Sequence, residues 1–226
     1  MTPDLARRTV RVTALLISAQ GVALFASAGS LAYWNAWLYL ALQTLTMGAT
    51  NTFLYYRDPQ LLDRRLASEE AGERDPVQRW VLRVLRVAAL AMLIAAGLEW
   101  RLGDRTTPIG IVLLGAVLIA AGAALIVRVF VESTYTSSVI EVTDGQRVVS
   151  TGPYRWVRHP MYVGVVVMGF GTPLALGSLW AALVIPPMFA VLVLRIVREE
   201  RFLRAHLPGY DAYIRSTRAR LVPGIW

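Results

Sequence analysis

Residues 160–194 read PMYVGVVVMGFGTPLALGSLWAALVIPPMFAVLVL, thirty-five in a row without a charge. One membrane-crossing helix needs about 20 apolar residues, so the run is too long for a single span. Gly177-Ser178 divides it. The expectation is a hairpin of two short helices, with Pro186-Pro187 kinking or breaking the second. Shortened or interrupted helices survive in hydrocarbon only where protein or a cavity covers the freed backbone groups. The hairpin is therefore expected to border a site. The amphipathic remainder, Arg195–Trp226, is expected to leave the membrane.

Outward from the hairpin the same pattern repeats. Val12–Leu31 carries no charge, and Trp34–Tyr56 has aromatics at both ends, as interfacial belts do. Arg57–Gln78 reads as a polar loop with Asp58-Pro59 and Asp75-Pro76 as breakers. Trp80–Leu98 and Pro108–Val127 are the third and fourth spans. Arg79, Arg83 and Arg86 recur at helical spacing, where their side chains can snorkel to the interface. Residues 128–158 form a polar connection with a turn signal at Thr143-Asp144-Gly145. The fold class is an all-α integral membrane protein of about six transmembrane helices, with a helical C-terminal segment on the cytoplasmic side. Two regions are expected, four N-terminal spans over 1–131 and a region over 132–226 that carries the chemistry.

Composition agrees. The 226 residues are 56% hydrophobic with mean hydropathy +0.50 and a net charge of +8. Such apolarity argues against a nucleic-acid partner despite the basic balance. All 23 basic residues are arginine and there is no cysteine, which excludes disulfides, thiolate metal sites and cysteine nucleophiles. With His159 and His206 as the two histidines, no metal site is expected. The N-terminal apolar stretch is too long for a signal peptide and is read as a permanent helix. Sorted by loop, 21 arginines fall on one face, and Arg101 and Arg105 on the other. The positive-inside rule makes the first face cytoplasmic and puts both termini there.

Two polar clusters flank the hairpin on that face. The first is Thr151-Gly152-Pro153-Tyr154-Arg155-Trp156-Val157-Arg158-His159-Pro160-Met161-Tyr162-Val163-Gly164. The second is Arg195-Ile196-Val197-Arg198-Glu199-Glu200, followed by Tyr210-Asp211-Ala212-Tyr213. Closing the hairpin gathers Arg158, His159, Arg195, Glu199 and Glu200 into one layer. Pro160 suits a first helical turn, so Arg158 and His159 would stand at a helix N-terminus, a receptor for an anion such as a carboxylate. Gly164 would let a ligand approach the backbone. Arg195 is four residues before Glu199 and can pair with it. Glu200 would remain free to accept from a ligand amine or hydroxyl. Taken singly, each residue has a plainer role: arginines mark topology, tyrosines sit at interfaces, and a histidine can brace a turn.

In combination the motifs resemble a known family. Gly-Pro-Tyr-x-x-x-Arg-His-Pro-x-Tyr-x-Gly at 152–164, an apolar hairpin, then Arg-x-x-x-Glu-Glu and Tyr-x-x-Tyr resemble isoprenylcysteine carboxyl methyltransferases and the related phospholipid N-methyltransferases. The likeness runs over Val142–Pro223. It implies a membrane-embedded methyltransferase using S-adenosylmethionine and releasing S-adenosylhomocysteine, with a lipophilic acceptor entering laterally from the bilayer. It further implies that Tyr154, His159, Pro160, Tyr162, Gly164 and Glu199 bind the cofactor. Arg158 and Arg195 would orient an acceptor carboxylate, and Glu200 would stand at the cofactor–acceptor junction. The lysine-free, arginine- and alanine-rich composition suggests a GC-rich bacterial genome, hence the bacterial inner membrane.

Methyl transfer from a sulfonium is a direct displacement, so positioning carries the catalysis. A planar guanidinium fixes a carboxylate bidentately. An amine acceptor would also use a base, for which His159 and Glu200 are the candidates. Phospholipids and other small hydrophobic amines, thiols or carboxylates are alternative acceptors. A sterol-type reductase using NADPH and a non-catalytic membrane protein are the alternatives of another class.

Overall fold

The computed structural model describes residues 3–71, 75–103, 107–133 and 145–226. Thr143 and Asp144 of the expected turn, and the connection over 134–144, lie outside them. The described residues are helical, with no strand among them. The helices are α1 (Pro3–Ala28), α2 (Trp34–Arg57), α3 (Pro59–Ala71), α4 (Pro76–Leu102), α5 (Ile109–Glu132), α6 (Pro160–Leu176), α7 (Leu179–Ala182), α8 (Ile185–His206) and α9 (Tyr210–Ser216), with a 3₁₀ turn at Gly152–Arg155. Four segments are long and apolar enough to cross a membrane: Asp4–Ala28, Pro76–Leu102, Ile109–Glu132 and Leu179–His206. α6 is a shorter apolar helix. Val22, Leu45, Val87, Val117 and Leu183 point outward, as lipid-facing side chains do.

The expected loop at 57–78 is instead largely helical. Asp58 ends α2 and its carboxylate accepts from the Leu61 N–H at 2.9 Å, which starts α3 one residue later. Asp75 does the same for α4, accepting from Val77 and Gln78 N–H at 2.8 Å each, with Pro76 in the first turn. The two Asp-Pro pairs are thus helix starts. Each combines a cap with a proline whose missing N–H costs nothing there.

α5 and α6 run antiparallel along a seam of glycines. A methyl added to Gly115 would collide with the Ala175 backbone; one on Gly122 would lie 2.6 Å from Gly164 O, and one on Gly164 2.8 Å from Gly122 O. Gly171 approaches Gly115 O as closely, at 2.7 Å. Both helices space these glycines by seven residues, about two turns, so they line one ridge. Small residues let helices approach where burial in lipid supplies little drive. Ile119, Leu176, Leu24, Tyr39, Met92 and Ala96 continue the core to α1, α2 and α4.

The hairpin divides at Gly177, whose φ of +66° ends α6. Ile185-Pro186-Pro187 begins α8, whose first turn tolerates proline, so these prolines restart the helix where a kink was expected. α8 also runs unbroken through Arg195 to His206. The cluster Arg195–Glu200 lies in the C-terminal part of that helix.

At this break, away from the arginine-rich face, side chains close the α6 carbonyls. Tyr33 donates to Leu176 O at 2.6 Å, Asn35 to Ala175 O at 3.3 Å and Thr107 to Gly177 O at 3.0 Å. Glu99 accepts from the Ser178 hydroxyl at 2.6 Å and the Trp180 N–H at 2.8 Å.

Candidate active site

His159 precedes proline and is held out of the helical region, at φ −123° and ψ 61°. Its backbone and that of Arg158 are therefore free to pair with the tail. Arg158 N–H donates to Ala219 O at 2.9 Å and His159 N–H to Arg220 O at 3.1 Å. Beyond this pairing the chain reverses at Pro223-Gly224, where Ile225 N–H returns to Val222 O and Gly224 has φ +80°. The reversal seats Leu221 and Trp226 against Tyr162, Val163, Leu192 and Ile196. The C-terminus folds back over the site.

Beneath the tail lies the layer expected from the sequence. Arg158 Nε donates to Glu200 Oε1 at 2.7 Å and Arg220 Nε to Glu200 Oε2 at 2.9 Å, while His159 Nε2 lies 3.2 Å from Glu200 Oε1. A second chain of contacts runs beside it. Arg195 Nε donates to the Tyr162 hydroxyl at 2.8 Å, and that hydroxyl donates to Glu199 Oε2 at 2.6 Å. Arg195 also reaches Gln78 Oε1 at 3.3 Å. Glu199 Oε1 stands 4.0 Å from His159 Nδ1, beyond hydrogen-bond length. Arg158, His159, Arg195 and Glu200 are each no more than 6% exposed.

Four expectations change in detail. Glu200 is not free for a ligand: two guanidinium groups use its oxygens, as a buried carboxylate requires. Arg158 is more than an anion receptor, since its Nη1 donates to Thr217 O at 2.9 Å and Arg218 O at 2.7 Å and so staples the tail. Gly164 lies against α5, where an added methyl would stand 2.8 Å from Gly122 O, so helix contact also requires a glycine there. Arg195 connects to Glu199 through the Tyr162 hydroxyl, a link that spacing along one helix could not reveal.

Tyr154 sits in the 3₁₀ turn, where its carbonyl accepts from the Tyr213 hydroxyl at 2.7 Å. It packs with Leu207, Tyr210 and Tyr213. Burial first, then the charges of Glu200 and Glu199, push the Tyr210 hydroxyl above its ordinary pKa, so it stays a neutral donor. Burial does the same for Tyr213. Among the described residues the buried Tyr210 hydroxyl has no hydrogen-bond partner. Such an orphan needs explaining, and a bound ligand would satisfy it.

Gln78 and Arg220 were not singled out from the sequence. Gln78 looked like loop, and the period of α4 places it one turn before Leu82 only once Asp75-Pro76 is read as a helix start. Arg220 is one more arginine in an arginine-rich tail, although the Pro223-Gly224 turn was a legible sign that the tail reverses.

Directly under the layer an apolar groove of about 260 Å³ opens between α4, α6 and α8. Leu82, Val166 and Leu192 line it. Each is about a single helical turn from Gln78, Tyr162 and Arg195 respectively, about 4.5–6 Å along its axis. Arg86 also lines the groove.

Residues 111–208 match the phospholipid methyltransferase family. This segment contains all nine of the site residues named from the sequence. The chain is also 28% identical over 144 residues to the nickel-cobalt-cadmium resistance protein NccN of Alcaligenes xylosoxydans xylosoxydans. That match covers 62% of each chain, less than two thirds of the relative's length.

Proposed function

We propose, from the premise that residues 111–208 form a phospholipid-methyltransferase-type segment, that the protein is a methyltransferase that uses S-adenosylmethionine on a lipophilic acceptor in the membrane. The observation that carries this reading is the position of the Gln78–Arg195–Tyr162–Glu199 chain at the inner end of an apolar groove. A hydrocarbon tail in the groove would bring its polar head to a guanidinium and a carboxylate.

The residues present suit the cofactor. The Tyr210 hydroxyl is a buried donor still to be satisfied, and Glu199 Oε1 and His159 Nδ1 face each other across a gap too wide for a mutual hydrogen bond. Tyr210, His159, Glu199, Tyr154 and Tyr162 would hold S-adenosylmethionine, with Pro160 setting the turn that aims His159 and Gly164 the helix packing beneath it. When bound, it supplies an electrophilic methyl group. Arg195 fixes the acceptor head, an isoprenylcysteine-like carboxylate in the leading case. Tyr162 holds Arg195 and Glu199 at a fixed separation. Arg158, Glu200 and Arg220 act as positioning residues, because they lock the tail that covers the site. Water is excluded by that tail and by Trp226. We place the layer on the cytoplasmic face of a bacterial inner membrane, where 21 of the arginines lie.

The family match favours a second acceptor, the amine of a phospholipid headgroup. There Glu199 or His159 would take the proton released as the amine is methylated.

Binding of S-adenosylhomocysteine to purified protein in detergent tests the reading, with NADPH in parallel. Binding of the former alone is expected, weakened about tenfold or more by Tyr210→Phe and by His159→Ala, the loss of one or two hydrogen bonds. NADPH binding instead would indicate a reductase, and binding of neither would leave a structural ion-pair layer. Radiolabelled methyl transfer to a prenylcysteine analogue and to phosphatidylethanolamine then separates the two acceptors.

A further inference from the structure

The three helices that border the groove carry it to the same depth. Gln78, Tyr162 and Arg195 stand in the layer, and seven residues from them along α4, α6 and α8 come Leu85, Gly169 and Met188, all lining the groove. Seven residues are about 10.5 Å along a helix axis, so these three share one level about two turns below the layer. The groove continues past that level to Ala89 and Ile185, about 15–16.5 Å from the layer.

Gly169 differs from the other glycines within α6. Gly164 and Gly171 are held to glycine by α5, where an added methyl would stand 2.8 Å from Gly122 O and 2.7 Å from Gly115 O respectively. Gly169 lies about 140–160° around the helix from both, on the groove side. Its backbone is ordinary helix, and among the described residues an added methyl would meet Met188 Cε alone, at an unstrained 3.7 Å. Glycine is a poorer helix former than alanine, and neither helix contact nor backbone conformation asks for it here. What the missing side chain provides is width in the groove, beside a methionine whose flexible side chain can shift.

An extended chain advances about 1.2 Å per bond, a third of the span of one residue. From the first turn below the layer, about five bonds reach the Gly169 level and about nine reach the end of the groove. The volume of about 260 Å³ holds about nine water-sized groups at about 30 Å³ each. Length and volume agree on one chain in single file, and two abreast do not fit. Resting on the acceptor reading above, we infer that Gly169 is the residue that sets the chain length of the acceptor. The groove takes one slender hydrocarbon chain, of a prenyl group or a single-chain lipid, and not both chains of a diacyl lipid. A chain longer than about five bonds passes over Gly169, in the space its missing side chain leaves beside Met188.

The test is methyl transfer by the purified full chain to cysteine analogues carrying a dimethylallyl or a geranyl group, with S-adenosylhomocysteine binding read in parallel. The first group ends before Gly169 and the second reaches past it. The wild type should favour the geranyl analogue in kcat/KM by about tenfold or more, the burial of about two further methylenes. Gly169→Leu should bring the ratio close to one through a raised KM for the geranyl analogue, and Met188→Ala added to it should restore part of the ratio. A wild-type ratio near one overturns the inference. So does an unchanged ratio in Gly169→Leu, or an equal fall for both analogues, which would mean general disturbance of the site. Should Gly169→Leu fail to fold, Gly169→Ala carries the same comparison: about a threefold fall is expected from one methyl, and no fall sinks the idea. If neither analogue is methylated, single-chain ethanolamine phospholipids with short and long chains supply the same ratio. A failed ratio with S-adenosylhomocysteine still bound counts against this inference alone. Transfer to neither class, or no such binding by the wild type, counts against the methyltransferase reading and takes the inference with it.

Discussion

At the Gly177 end of the hairpin, each described side-chain bond satisfies a helix terminus: Tyr33, Asn35 and Thr107 close α6 carbonyls, and Glu99 receives Ser178 and the first turn of α7. At the Pro160 end, Arg195, Tyr162, Glu199 and Gln78 bond one another from within continuous helices whose own backbone needs nothing from them. The first set answers a demand of the fold, since an interrupted helix in hydrocarbon must be re-satisfied. The second has no such cause, and buried ion pairs are a weak source of stability. Polarity that the backbone does not require is where chemistry is to be sought. Arg158 belongs to both kinds, bonding Glu200 and two tail carbonyls.

The contrast can be broken by mutation. Glu200→Ala leaves Arg158 and Arg220 without their carboxylate in a buried layer and should cost about 3–5 kcal/mol, together with S-adenosylhomocysteine binding. Thermal unfolding in detergent reads the first and calorimetry the second; an unchanged melting temperature would show that the layer does not hold the tail. Gly115→Val forces α5 away from α6 at the other end and should cost about 1–3 kcal/mol. Tyr162→Phe removes the hydroxyl between Arg195 and Glu199 and should slow methyl transfer by about 10- to 100-fold, the scale of a small misplacement, with little change in melting. Tyr33→Phe is its counterpart: about 1 kcal/mol of stability lost and turnover retained. If Tyr33→Phe lowered turnover as much as Tyr162→Phe, the division between the two ends would fail.

Much of this was legible in residue order. The apolar lengths, the division at Gly177 and the grouping of His159 with Glu200 follow from period, charge and chain reversal. The helix over 59–71 was hidden because Asp-Pro marks a loop and a helix start equally well. The true partners in the layer were hidden for a different reason. Which oxygen of Glu200 meets Arg158 and which meets Arg220 depends on the rotation of α8 against α6 and on the path of the tail, and neither leaves a periodic trace.

By itself, then, the sequence determined that this is a helical membrane chain with an asymmetric arginine distribution and one polar layer beside a broken hairpin. Hydrophobic length and charge are local quantities that a chain carries whatever it folds into. The tertiary structure alone decided that Gly164 serves helix contact, that Arg158 and Glu200 bind each other, that Tyr162 and Gln78 join Arg195, and that the Tyr210 hydroxyl is buried. Those roles depend on distances of 2.6–3.3 Å between residues up to 117 positions apart, which only packing can set.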